Sequence, residues 1–164
     1  MKRTQAIELP EEEIAKQKEW MAAFAALEDR PHTYCVVTYG CQMNAHDSEK
    51  LEGMLTQMGM TPAANREEAD FVIFNTCCVR DNAQRRALGN VVWLKELKKT
   101  RPELMVGVCG CMMQQPGMGE QILKQYPFVD LAFGTHNLYR FAQLMLKAVQ
   151  SRRRVVEVIQ DDEG

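Results

Sequence analysis

The chain has 164 residues, 46% hydrophobic and 26% charged, which is the composition of one compact folded domain. This composition excludes disordered, collagen-like and mucin-like chains. Because the formal net charge is −2, no overall positive potential attracts the chain to nucleic acid or to membranes. No apolar run approaches the ~20 residues that cross a bilayer, and residues 1–13 are mostly polar, so we expect a cytoplasmic protein.

The apolar pattern alternates between helical and strand spacing along the chain. A helix is predicted over 10–28, within an N-terminal extension that we assign to residues 1–32. A first strand over 34–38 is followed by a helix that Asp47 or Ser48 can cap. The remaining predicted elements are a short strand within 60–63, a buried strand at 71–74, a helix from 81 or 82 to before 102, a strand at 104–108, a short helix at 121–125, a strand at 131–133, a helix capped by Asn137 and a strand at 155–159.

Strands that are separated by helical segments of ten or more residues need crossover connections. The sequence therefore predicts an α/β fold, flavodoxin-like or Rossmann-like, with an open and mostly parallel sheet of about five strands in the order 2-1-3-4-5. Helices are expected on both faces of this sheet. We assign the domain to residues 33–150 and residues 151–164 to a linker.

The chain has six cysteines, and without a secretion signal they are expected to stay reduced. No C-x2-C or C-x3-C-x2-C spacing occurs. Cys41, Cys77 and Cys111 each follow a predicted strand, and ligands of open parallel sheets bind outside the carboxyl ends of the strands. Three thiolates that meet there suit zinc or an iron–sulfur cluster, and they leave a fourth coordination position open.

The other three cysteines are weaker candidates for metal binding. Cys35 lies inside a predicted strand, where a thiol usually packs as a small hydrophobic side chain. Cys109 lies two residues before Cys111, and its thiol can either pack in the core or act as a further metal ligand. Cys78 adjoins Cys77, and neighbours on an extended chain point to opposite sides. One of the two is therefore expected not to bind the metal, and geometry alone does not identify which.

Three amides and two glycines accompany the candidate ligands. Asn44, Asn75 and Gln114 can donate hydrogen bonds to sulfur from outside the ligand shell, or they can cap turns. Gly40 and Gly110, each directly before a candidate cysteine, permit a tightly turned backbone beside a bulky cluster.

Together these cysteines lie in three ordered motifs: Gly-Cys-Gln-Met-Asn at 40–44, Asn-Thr-Cys at 75–77 and Gly-Cys at 110–111. From about residue 34 to residue 149 the chain resembles the N-terminal domain of the radical S-adenosylmethionine methylthiotransferases. This resemblance implies that Cys41, Cys77 and Cys111, and not Cys78, bind a 4Fe-4S cluster whose fourth iron is open to the sulfur that is transferred.

Within that family the motifs are most similar to the tRNA-modifying branch. The implied substrate is N6-isopentenyladenosine in the anticodon stem-loop, which gains a methylthio group at carbon 2. Other substrates within the family are threonylcarbamoyl-adenosine in tRNA and an aspartate of a ribosomal protein. A second 4Fe-4S cluster and S-adenosylmethionine belong to a radical domain that this chain lacks. The chain alone is therefore expected to be inactive, without a catalytic residue of its own, and to work with the radical and RNA-binding domains of a full protein.

Two further features leave the function open. Residues 80–101 carry seven positive and two negative charges, and these can face tRNA phosphates or form a solvated helix surface. Rival functions are a structural zinc module on the same thiols and a flavin- or nucleotide-binding domain. The absence of a G-x-G-x-x-G motif or a P-loop after the first strand argues against the latter.

Overall fold

The structure, a computed structural model, describes residues 11–39, 42–76, 81–110, 113 and 116–157. The described strands are β1 (Thr33–Tyr39), β2 (Thr61–Pro62), β3 (Phe71–Thr76), β4 (Met105–Cys109), β5 (Leu131–Phe133) and β6 (Val155–Glu157). The described helices are α1 (Glu11–Ala25), α2 (Gln42–Gln57), α3 (Asp81–Thr100), α4 (Met118–Gln125) and α5 (Phe141–Ser151), with a 3-10 helix at Thr135–Arg140. In the part of the chain that is described, no helix is long and apolar enough to cross a membrane.

All strands of the sheet run parallel, in the order β2-β1-β3-β4-β5-β6. This confirms the predicted open α/β sheet and the predicted order of its first five strands. β6 adds a sixth strand, paired in parallel with β5. It is formed by residues of the segment 151–164, so the start of that segment is part of the sheet.

The two faces of the sheet support separate hydrophobic cores, because side chains alternate along a strand. Phe71 and Ile73 of β3 pack in a core with α1, α2 and α5, whereas Val72 and Phe74 pack in a second core with α3 and α4. All six residues of β3 are buried, which explains its continuous apolar start. Phe24 of α1 is fully buried, so the predicted N-terminal extension contributes to the first core.

Two predicted helix caps are wrong. α2 begins at Gln42, so Ser48 lies inside the helix, and its hydroxyl points into the protein instead of capping the first turn. α5 begins at Phe141, because Asn137 lies within the preceding 3-10 helix. Short polar side chains favour helix caps in general, but they also serve as buried hydrogen-bond partners, and a single sequence does not separate the two roles.

Several of the positive charges at 80–101 are used within the fold. Lys98 forms an ion pair with Asp130 at 2.5 Å, and the carboxylate of Asp70 accepts a hydrogen bond from Arg101 at 3.0 Å and from the backbone N–H of Thr33 at 3.1 Å. These contacts join the end of α3 to the amino ends of the strands. A nucleic-acid surface on α3 therefore has fewer free cations than the sequence count indicates.

Gly89, in the exposed surface of α3, is expected to weaken that helix. Glycine loses more backbone entropy than alanine on folding, and a Cβ at this position would meet no atom within 4 Å. We expect Gly89→Ala to raise the free energy of unfolding by about 0.5–1 kcal/mol, as measured by urea denaturation followed by circular dichroism. Gly53→Ala in α2, which has the same free space, is the matched variant. A loss of stability in both variants would contradict the prediction.

Candidate metal centre at the carboxyl edge of the sheet

β1, β3 and β4 lie side by side at the centre of the sheet, and they end at nearly the same level. In the register of the sheet Tyr39, the last residue of β1, pairs with Thr76, the last residue of β3. Cys109, the last residue of β4, pairs with Asn75. Because neighbouring strands are about 4.8 Å apart, the three strand ends lie within a short distance of one another at the carboxyl edge.

The three candidate ligands continue directly from these strand ends in the sequence. Cys77 is the residue after β3, and Cys41 and Cys111 follow the last residues of β1 and β4 by two positions. Cys41, Cys77, Cys78 and Cys111 lie outside the described residues. Within the described ranges no three His, Cys, Asp or Glu side chains come together as a metal site. The ligand set therefore stays a prediction, although the described strands bring its three segments to one edge.

Three hydrogen-bonded side chains, Thr38, Ser48 and Asn75, connect the ends of β1 and β3 through α2, and we call them the relay. The side-chain amide of Asn75 donates to the Ser48 hydroxyl at 3.0 Å, and the Ser48 and Thr38 hydroxyls are hydrogen-bonded at 2.7 Å. Asn75 and Ser48 are 1% and 4% exposed. Of the other two amides predicted beside the ligands, Asn44 belongs to the first turn of α2 and Gln114 lies outside the described residues.

Gly110 brings the end of β4 against the end of β3. Its φ is +109°, and a Cβ at this position would lie 2.3 Å from the carbonyl oxygen of Thr76 and 2.7 Å from Oδ1 of Asn75. Only glycine fits such a contact, so the tight backbone predicted before Cys111 is present at Gly110. The Thr76 hydroxyl also donates to the carbonyl oxygen of Cys109 at 3.4 Å.

The two cysteines within the described residues behave as packing residues. Cys109 is 2% exposed in the first core, and burial, together with the nearby Asp47 carboxylate, raises the pKa of its thiol. Cys35 packs against the second core, and partial burial raises the pKa of its thiol as well. Both cysteines therefore occupy the hydrophobic cores of the sheet, as free cysteines commonly do.

Thr38 was not predicted as a residue of this edge, and neither was an inward role for Ser48. A signal for Ser48 was present, because it lies at helical spacing from Leu51 and Leu55, whose side chains are fully buried. A small polar residue within an apolar stripe needs a buried hydrogen-bond partner. The partner comes from a strand far away in sequence, which the helical pattern does not reveal.

A profile of the family described as "Uncharacterized protein family UPF0004" matches residues 33–134, more than half of the chain, from β1 to β5. The chain belongs to the UPF0004 family. This chain is also similar to proteins named tRNA-2-methylthio-N(6)-dimethylallyladenosine synthase. The one from Clostridium perfringens strain SM101 is 50% identical over 131 residues, which cover 80% of this chain and 29% of that protein.

Two further relatives with the same name align with a larger part of this UPF0004 chain. The synthase from Acetivibrio thermocellus is 49% identical over 154 residues, 90% of this chain and 32% of that protein. The synthase from Thermoanaerobacter sp. strain X514 is 47% identical over 156 residues, 94% of this chain and 33% of that protein. The chain thus spans about a third of the length of these curated relatives. The resemblance predicted from the three cysteine motifs is confirmed.

Proposed function

We propose that this chain is the domain of a tRNA methylthiotransferase that holds a 4Fe-4S cluster on Cys41, Cys77 and Cys111. The observation that carries the proposal is the agreement between motif and topology: each cysteine motif begins at the end of one of three neighbouring parallel strands. The name of the relatives supports the reaction, the addition of a methylthio group at carbon 2 of N6-isopentenyladenosine in tRNA.

The residues of this edge fit such a cluster. Cysteine thiolates are the usual ligands of iron–sulfur clusters. With three of them, the fourth iron would have no protein ligand and would be open to the sulfur that is transferred. The described residues at this edge hold the ends of β3 and β4 close together. Gly110 permits the close approach of two strand ends, and Asn75 and Thr76 are buried at the end of β3, directly before Cys77 in the sequence.

The proposal extends to the parts of the full protein outside this chain. Residues 33–150 form the main part of the cluster domain, α1 and β6 of the flanking segments pack with it, and the chain after β6 leads towards a radical domain. That domain holds the second 4Fe-4S cluster and S-adenosylmethionine, so this chain alone is inactive. The partner is the anticodon stem-loop of tRNA, and the site of action is the cytoplasm, where thiols stay reduced.

A chimeric enzyme tests this function. The aligned region of the Clostridium perfringens synthase is replaced by the 131 matching residues of this chain, in cells that lack the synthase. We expect 2-methylthio-N6-isopentenyladenosine to reappear in digested tRNA, as measured by mass spectrometry. Because the rest of the chimera comes from that synthase, the measurement tests the cluster domain, and no more of this nucleoside than in cells without any synthase would contradict the proposal.

Adjacent cysteines provide the matched control for this experiment. The chimera with Cys77→Ala is expected to form no methylthio product, whereas the chimera with Cys78→Ala is expected to keep the activity. Equal activity of both variants would contradict the assignment of Cys77. A folded, iron-loaded chimera without any product would contradict the proposed reaction.

A further inference from the structure

The Thr38–Ser48–Asn75 relay crosses three elements at the carboxyl edge. Thr38 is the second-last residue of β1 and three residues before Cys41, and Asn75 is the second-last residue of β3 and two residues before Cys77. Ser48 of α2 lies between them, with hydrogen bonds of 2.7 Å and 3.0 Å. One hydroxyl on a helix therefore ties together the ends of two strands from which cysteine segments depart.

The same amide also borders the third cysteine segment. Oδ1 of Asn75 would lie 2.7 Å from a Cβ at Gly110, the residue directly before Cys111. Nδ2 of Asn75 donates to the Ser48 hydroxyl, so this hydrogen bond helps to orient a side chain that lies close to Gly110. Ser48 and Asn75 are buried, so water does not readily replace their hydrogen bond.

We propose that Ser48 is a positioning residue for the cluster site, which it serves by fixing Asn75 and Thr38. The inference rests on the proposed function, because it assigns the relay to the cluster that Cys41, Cys77 and Cys111 would hold. In the part of the chain that is described, the Ser48 side chain bonds to Thr38 and Asn75. Thr38 and Asn75 are opposite each other in the paired strands β1 and β3, and Ser48 fixes their side chains three and two residues before Cys41 and Cys77. Groups outside the ligand shell commonly set metal affinity in this way.

Ser48→Ala in the purified chain, reconstituted with iron and sulfide without oxygen, tests the inference. We expect the cluster absorption to disappear roughly 10- to 100-fold faster than in the unmodified chain after addition of an iron chelator. The electron paramagnetic resonance spectrum of the reduced cluster is expected to change as well. Ser48→Thr, which keeps the hydroxyl, is expected to restore both readouts.

Thr33→Val is the matched control for a general loss of stability. Thr33 lies at the opposite end of β1, where its hydroxyl accepts a hydrogen bond from the backbone N–H of Asp70 at 3.0 Å. We expect this variant to lose the cluster at the rate of the unmodified chain. Thr38→Val, the same substitution at the relay end of β1, is expected to accelerate the loss of the cluster. Since Thr38 is exposed, this variant is expected to fold, and it tests the inference even if Ser48→Ala does not fold.

The outcomes separate the inference from the proposed function. If the unmodified chain takes up no iron and sulfide, the proposed function fails and the inference fails with it. If the unmodified chain binds a cluster and neither Ser48→Ala nor Thr38→Val changes its rate of loss or its spectrum, only the inference is overturned. The inference is also overturned if Thr33→Val accelerates the loss as much as the relay variants, because the effect then reflects stability in general.

Discussion

Replacing Cys41, Cys77 or Cys111 with alanine is expected to abolish stable binding of a 4Fe-4S cluster by the purified chain. Loss of one of three protein ligands leaves too few thiolates to hold the cluster. The single changes Cys35→Ala, Cys78→Ala and Cys109→Ala are expected to spare it. The measurement is iron and sulfide per chain after anaerobic reconstitution, together with the absorption near roughly 400 nm that thiolate-ligated clusters show.

The adjacent pair Cys77 and Cys78 gives the sharpest comparison, since the two variants differ by one position in the same segment. For Cys109, which is 2% exposed, alanine removes a buried sulfur and is expected to lower the stability of the chain while cluster binding persists. Retention of iron and sulfide in all three single variants of the proposed ligands would overturn the assignment.

Gly110→Ala is expected to lower the free energy of unfolding by about 3 kcal/mol and to reduce cluster uptake. Two costs combine at this position. The φ of +109° is unfavourable for any residue with a Cβ, and that Cβ would be 2.3 Å from the carbonyl oxygen of Thr76. The backbone of β3 cannot move away without breaking its pairing with β1 and β4. Urea denaturation followed by circular dichroism measures the change.

Gly117→Ala separates the two costs. Gly117 also has a positive φ, +79°, but a Cβ there would meet no atom within 4 Å. Only the backbone conformation is then unfavourable, and we expect a loss of about 1–2 kcal/mol. If Gly110→Ala costs no more than Gly117→Ala, the close contact between the ends of β3 and β4 does not exist as described.

The strands of the sheet were predictable because the features that identify them are local. The apolar run at 71–74 has no polar interruption and therefore identifies a central strand that is covered on both faces. Gly59, with a φ of +89°, ends α2 as glycine commonly ends a helix, and a short strand follows at Thr61–Pro62. Such signals need only neighbouring residues and identify the strands, and the order 2-1-3-4-5 then followed from the crossover rule and the flavodoxin-like arrangement of such sheets.

The ends of the strands were less predictable, although they carry the candidate site. The sequence predicted β3 to end at Phe74, since Asn75 and Thr76 have the polarity of turn residues, but β3 continues to Thr76. Their backbone pairs with β1, and the amide of Asn75 finds Ser48, 27 positions away in sequence. Contacts at this separation leave no periodic pattern, which is also why the relay and the ion pair of Lys98 with Asp130 were not predictable from the sequence.

Iron, sulfide and zinc per chain, measured after anaerobic reconstitution of the purified chain, test the central claim most directly. We predict about four irons and four sulfides per chain with no zinc, as a single 4Fe-4S cluster requires. Zinc without sulfide, or no metal at all, would contradict a cluster on these three cysteines.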